Sequence, residues 1–150
     1  VFSYNHPQLI NPILKDRLTV IKFDTYKTQE KVIIAKKYIL PKLITNVGLN
    51  QEDVIFDDKQ LKYIISKYAS LEKGVRNLKR CLEDILMKIN LIRFVKKDDN
   101  KLDSDIKFPY NIKKIGIKFP IILTNDIIDE LLKTSFKKDE LPLAIQKMYL

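Results

Sequence analysis

A mainly helical fold is what this sequence predicts, and three observations predict it. Apolar residues recur at Val75, Leu78, Leu82, Ile85, Leu86, Ile89 and Ile92, the spacing of one helix face sustained for about five turns. Shorter runs of the same kind occur at Val32, Ile33, Ala35, Tyr38, Ile39 and Leu43, at Leu61, Ile64, Ile65 and Tyr68, and at Ile127, Ile128, Leu131 and Leu132. Only 3 glycines occur in 150 residues, so little interrupts these runs.

Taken in order, residues 1–5 alternate and read as the end of a strand that stops at Asn5. Its sheet partners are missing, so a segment N-terminal to Val1 is expected. A proline-rich turn with Ile13 and Leu14 predicts a short helix that delivers Arg17 to a surface. Residues 18–23 alternate and read as a strand. Thr28 is a fair N-cap for the next helix. Pro41 should kink or end that helix, and Gly48 closes it. Residues 53–56 and 120–123 are short strand candidates. Asp57 or Asp58 caps the helix through Tyr68, and a break at Ser70–Leu71 precedes the long helix. Residues 96–101 read as a solvated loop, and 108–119 as an irregular insertion with a hairpin around 111–116. Thr124 or Asn125 caps a further helix, and the tail carries an apolar cluster at Leu141, Leu143, Ile145 and Met148.

Composition narrows the function classes. A hydrophobic fraction of 45% supports one core, and a charged fraction of 31% supports a polar surface. No apolar run reaches bilayer length and no secretory pattern opens the chain. The expected location is intracellular and cytoplasmic, and the origin is left open to organelle or virus. Cys81 is the single cysteine and His6 the single histidine; they are far apart, so no metal site is expected. Cys81 lies between stripe positions and reads as inert packing. The net charge of +9 allows attraction to nucleic acid, but no aromatic residues interleave with the lysines in a repeated pattern. Arg76, one residue off the stripe in the first turn of the long helix, can leave the packed face while staying near it. On spacing alone, Arg76 and Arg80 read first as solvated helix cations.

Four segments carry a resemblance, in order along the chain: Asn11-Pro12-Ile13-Leu14-Lys15-Asp16-Arg17, Tyr26-Lys27-Thr28-Gln29-Glu30-Lys31, Ala35-Lys36-Lys37-Tyr38-Ile39-Leu40-Pro41-Lys42 and Gly74-Val75-Arg76-Asn77-Leu78-Lys79-Arg80. Together they resemble the ATPase module of Lon-type AAA+ proteases, from Val1 to about Leu132, with a longer insertion before the second short strand. The resemblance implies three parts. Residues 1–21 would end the large nucleotide-binding α/β subdomain. Residues 22–135 would be the helical lid with a short two-stranded sheet, interrupted by the insertion at about 94–120. Residues 136–150 would be a tail.

It also implies roles. Asn5 corresponds to the sensor-1 asparagine and Arg17 to the arginine finger that enters a neighbouring subunit's site. Tyr26 corresponds to the connector tyrosine beside the adenine, and Ile34 would line the same pocket. Arg76 corresponds to the sensor-2 arginine on the nucleotide phosphates. ATP is the implied cofactor, with Mg²⁺ held by a part outside this chain. The implied partners are the other subunits of a homo-oligomeric ring, a hexamer, and protein substrates to unfold or remodel. Phosphoryl transfer depends on positioning and charge, and an arginine supplied to it contributes a rate factor of about 10³–10⁵. Its planar fork suits phosphate oxygens.

No Walker A pattern and no Ser-Lys protease pair occur in these residues, so they supply only part of a nucleotide site and no proteolytic centre. Two further readings stand beside this one. The chain could be a basic helical module for nucleic acid, or a scaffold whose nucleotide residues are relics.

Overall fold

A computed structural model describes residues 3, 7–21, 24–98, 101–102, 108–115, 118–133 and 135. A 3₁₀ turn at Pro7–Leu9 is followed by a one-turn helix α1, Pro12–Lys15. Asn11 caps α1, its Oδ1 accepting from the Ile13 N–H at 2.9 Å, and Pro12 stands in the first turn, where its missing donor costs nothing. The chain then turns at Asp16–Arg17, with the Arg17 N–H bonded to the Leu14 oxygen at 3.1 Å. Residues 18–21 form no strand, which corrects the alternation reading there; residues 22 and 23 lie outside the described residues. The Leu18 N–H is taken by Lys15 O at 3.2 Å, so the segment begins as the tail of a turn.

Helix α2, Thr28–Ile34, starts one residue earlier than Thr28 as a cap implies. Lys27 is the extended N-cap residue, and its N–H donates to the Glu30 carboxylate at 2.7 Å. The helical path then runs through a π-helical segment at Ala35–Ile39 into α3, Leu40–Val47. Pro41 therefore does not end the helical path; it stands in the first turn of α3, directly after the π-helical segment. A proline ring clashes with the carbonyl four residues back. The wider turn, in which Leu40 N–H reaches the Ala35 oxygen, meets this constraint while α2 and α3 both keep their apolar faces inward. Gly48, at φ 80°, ends α3. Its N–H and that of Leu49 return to Thr45 O and Ile44 O, each at 3.1 Å, in a Schellman arrangement.

Strand β1, Val54–Ile55, leads to α4, Asp58–Tyr68, with Asp57 at its N-cap. Helix α5, Arg76–Val95, is the axis of the bundle: Leu78, Cys81, Leu82, Ile85, Leu86, Ile89 and Ile92 are all fully buried. Cys81 thus belongs to the apolar stripe rather than between its positions. Helices α3, α4 and α7 (Asn125–Leu132) pack on α5, and α2 packs on α4.

The solvated loop expected at 96–101 is an antiparallel pair, β2 (Lys96–Asp98) with β3 (Lys101–Leu102). The hairpin expected at 111–116 is a one-turn helix, α6, Ile112–Ile115. It is tied to α7 by the Glu130 carboxylate, which accepts the Asn111 N–H at 2.7 Å. Strand β4, Ile121–Ile122, pairs parallel with β1, Val54 opposite Ile121 and Ile55 opposite Ile122. Val54 and Ile121 point inward and Ile55 and Ile122 outward, the two-residue period of a sheet covered on one face. Thr124 caps α7 with its hydroxyl towards Ile127 N–H. The fold is a mainly helical bundle with a short parallel strand pair. The expected tail cluster lies outside the described residues.

Candidate functional site

A cleft of about 350 Å³ opens where the connector before α2 meets the segment between α4 and α5. Thr25, Tyr26 and Lys31 form one wall, and Ser70, Glu72 and Lys73 the other. The two walls are joined. The Tyr26 N–H reaches the Lys73 oxygen at 3.4 Å, and the ammonium of buried Lys31 donates to the Glu72 main-chain oxygen.

Arg76 is the first residue of α5, three positions beyond Lys73, and its side chain is exposed. It has no carboxylate within ion-pair distance among the described residues. This is a poor place for a cation if helix stability were its only purpose. A helix N-terminus carries partial positive charge, and like charge there is disfavoured by a few tenths to about 1 kcal/mol. Glu72 is the residue that suits the terminus, its Oε2 accepting the Asn77 N–H at 2.7 Å. Lys73, Arg76, Lys79 and Arg80 are all exposed at this end of α5. The arrangement can present positive charge to an anion beside the cleft.

The other candidate residues are distributed differently. Tyr26 lines the cleft and is half exposed. Ile34 is half-buried in α2 and is not among the cleft's lining residues. Arg17 is exposed in the turn after α1, outside the cleft lining. Asn5 and His6 lie outside the described residues. Lys31 and Glu72 were not singled out from the sequence. A signal existed for Glu72, an acid just ahead of a long helix, but nothing local marks Lys31 as buried.

A second polar centre ties α4 to α7. The Asp129 carboxylate accepts from the Tyr63 hydroxyl at 2.8 Å, the Tyr68 hydroxyl at 2.7 Å and the Lys67 ammonium at 2.7 Å. Burial alone would raise the Asp129 pKa. The bonds from Lys67, Tyr68 and Tyr63 outweigh it, so the net shift is downward. Burial first, and then the bond to Asp129, raises the Tyr68 pKa. This cluster has the character of a structural tie. Among the described residues, no three His, Cys, Asp or Glu side chains gather as a metal would require. No helix among them is long and apolar enough to cross a membrane.

The family model described as the Lon protease AAA+ ATPase lid domain matches residues 45–102. A Lon protease homolog of Acanthamoeba polyphaga mimivirus is 44% identical over 94 residues, which is 63% of this chain and 9% of that protein. The Lon protease of Campylobacter concisus is 40% identical over 107 residues, 71% of this chain and 13% of that protein. The mitochondrial Lon protease homolog of Schizosaccharomyces pombe is also 40% identical over 107 residues, 71% of this chain and 10% of that protein. The chain thus spans about a tenth of the length of these curated relatives. With a helical bundle around α5, the short parallel strand pair, and these matches across bacteria, a mitochondrion and a virus, this chain carries the lid region of a Lon-type AAA+ ATPase.

Proposed function

We propose that the chain is the moving lid of a Lon-like ATPase and supplies one side of its nucleotide site. The observation that carries the reading is Arg76: an exposed guanidinium at the first position of α5, without an ion-pair partner among the described residues and three positions beyond Lys73, which lines the cleft with Tyr26. In this reading Arg76 contacts the nucleotide phosphates as sensor-2, Tyr26 lies against the adenine, and Ile34 closes the pocket behind it. Arg17, exposed on the turn after α1, acts as the arginine finger on a neighbouring subunit's nucleotide, and Asn5 acts as sensor-1. The cofactor is ATP. The fit to it is that of a half-site, with a guanidinium for phosphate and an aromatic edge for the base. Mg²⁺ finds no carboxylate set among the described residues, and no step through it is assigned to this chain. The parts follow as residues 1–21 for the end of the large subdomain, 22–135 for the lid and 136–150 for a tail. The whole protein would be a homo-oligomeric ring, a hexamer, that spends ATP on unfolding protein substrates inside the cell.

The test is steady-state ATP hydrolysis by the full-length parent protein. Arg76→Ala and Arg17→Ala are each expected to lower turnover by at least about 10³-fold. Mixing Arg17→Ala subunits with subunits inactivated at the phosphate-binding loop should restore part of it, because the finger acts across subunits. Unchanged turnover in both single variants would remove the reading.

A further inference from the structure

The segment Glu72–Lys73 is held from three directions. The Lys31 ammonium donates to the Glu72 main-chain oxygen, the Tyr26 N–H reaches the Lys73 oxygen at 3.4 Å, and the Glu72 carboxylate accepts the Asn77 N–H at 2.7 Å. Lys31 is only 5% exposed, in a chain whose other described lysines are mostly on the surface. Burying an ammonium loses hydration and several rotamers. Its partner among the described residues is a main-chain oxygen rather than a carboxylate, so the bond reads as a device for fixing backbone, not for neutralising charge. The backbone it fixes is four residues ahead of Arg76, with Gly74 between them. Glycine lets that short span bend freely, and the two bonds at Glu72 remove the freedom again: one anchors the segment to α2, the other anchors it to the first turn of α5.

We propose that Lys31 and Glu72 are positioning residues for Arg76, together holding the first turn of α5 at a fixed distance from the Tyr26 wall of the cleft. The proposal rests on the reading of Arg76 as the phosphate-facing residue. It adds that this arginine is set by α2, the helix that also follows the connector. Movement of α2 relative to the rest of the protein is then transmitted to Arg76 through the Lys31 bond to the Glu72 carbonyl and the Glu72 carboxylate bond to the first turn of α5.

The experiment uses the full-length parent and compares Lys31→Met, Lys31→Arg, Glu72→Ala, Arg76→Ala and the doubles Lys31→Met/Arg76→Ala and Glu72→Ala/Arg76→Ala, reading kcat and KM for ATP together with the melting temperature. Lys31→Met is expected to lower kcat by about 10- to 100-fold, the scale of a misplaced catalytic group. The double variant is expected to be no slower than Arg76→Ala alone, because a residue that acts through Arg76 has nothing left to position. Lys31→Arg, which keeps a donor, should recover part of the rate. Losses that multiply in the double variant, or full turnover in Lys31→Met, overturn the proposal and leave the reading of Arg76 standing if Arg76→Ala is slow. Full turnover in Arg76→Ala overturns the reading itself. Should Lys31→Met lose its cooperative melt, Glu72→Ala and its double decide by the same rule.

Discussion

Asn90 of α5 donates its side-chain amide to the main-chain oxygen of Val47 at 2.9 Å, and so fastens the end of α3 to the central helix. One turn further on, Arg93 donates to the Gly48 oxygen at 2.9 Å. The carbonyls that a helix leaves open at its C-terminus are here supplied with donors from a neighbour.

Asn90→Ala should therefore destabilise the chain by about 1 kcal/mol in urea unfolding, with an unchanged m-value. The lower end of the usual range applies because the buried Asn90 Oδ1 has no partner among the described residues, and its removal offsets part of the loss. Arg93→Ala should cost less, since its side chain is 43% exposed and water replaces the donor. A larger loss for Arg93→Ala than for Asn90→Ala would contradict this ordering.

Gly48 sits at φ 80° with open space where a Cβ would stand. Replacement by alanine meets no neighbour, so its cost is the backbone strain alone, about 1–2 kcal/mol. Gly48→Asn should cost less than Gly48→Ala, because asparagine tolerates the left-handed region. Thermal melts of the two variants side by side check the order.

The Asp129 cluster fixes a pH dependence. The Asp129 carboxyl is held below its ordinary value of 3.8 in the fold, so the unfolded chain binds the proton more readily. Stability from this group is complete above that ordinary value and is lost as pH falls through the lower folded one. The Tyr68 hydroxyl is raised above its ordinary 10.0, and its contribution is complete below that value and lost as pH rises towards the folded one. Asp129→Asn should flatten the acid limb of the stability–pH curve and shorten the alkaline one, read by urea titration at stepped pH. An acid limb as steep as that of the unmodified chain would rule out Asp129 as a source of it.

Cys81 is fully buried on the α5 stripe, and its thiol is pushed up to about 12 by burial first and then by the nearby Asp84 charge. Thiolate is the reactive form. Labelling with a disulfide reagent at neutral pH should be slow in the folded chain and immediate in urea. Rapid labelling without denaturant would show that α5 does not pack as described.

Much of the architecture was legible because helix faces announce themselves. The α5 stripe, the breaks at Gly48 and at Ser70–Leu71, and both strands of the β1–β4 pair follow from period, glycine and capping chemistry. Residues 18–21 misled because alternation records only which side chains are apolar. A strand needs a partner edge, and there the Leu18 N–H is spent on a turn. At 96–101 the reverse held, since charged residues with no apolar period still found each other as an antiparallel pair.

The sequence by itself determined the body of the bundle: where α4, α5 and α7 run, which face each buries, and that Arg76 stands just off the packed stripe. It also determined the likeness that names the lid. Tertiary structure alone decided that Lys31 is buried against a carbonyl 41 residues away, that Pro41 is accommodated by a π turn, and that β1 and β4 lie parallel in register. The physical reason is range. Propensity, capping and periodicity act within a turn or two of chain, whereas the position of a donor against a distant carbonyl is set only once the helices between them have packed.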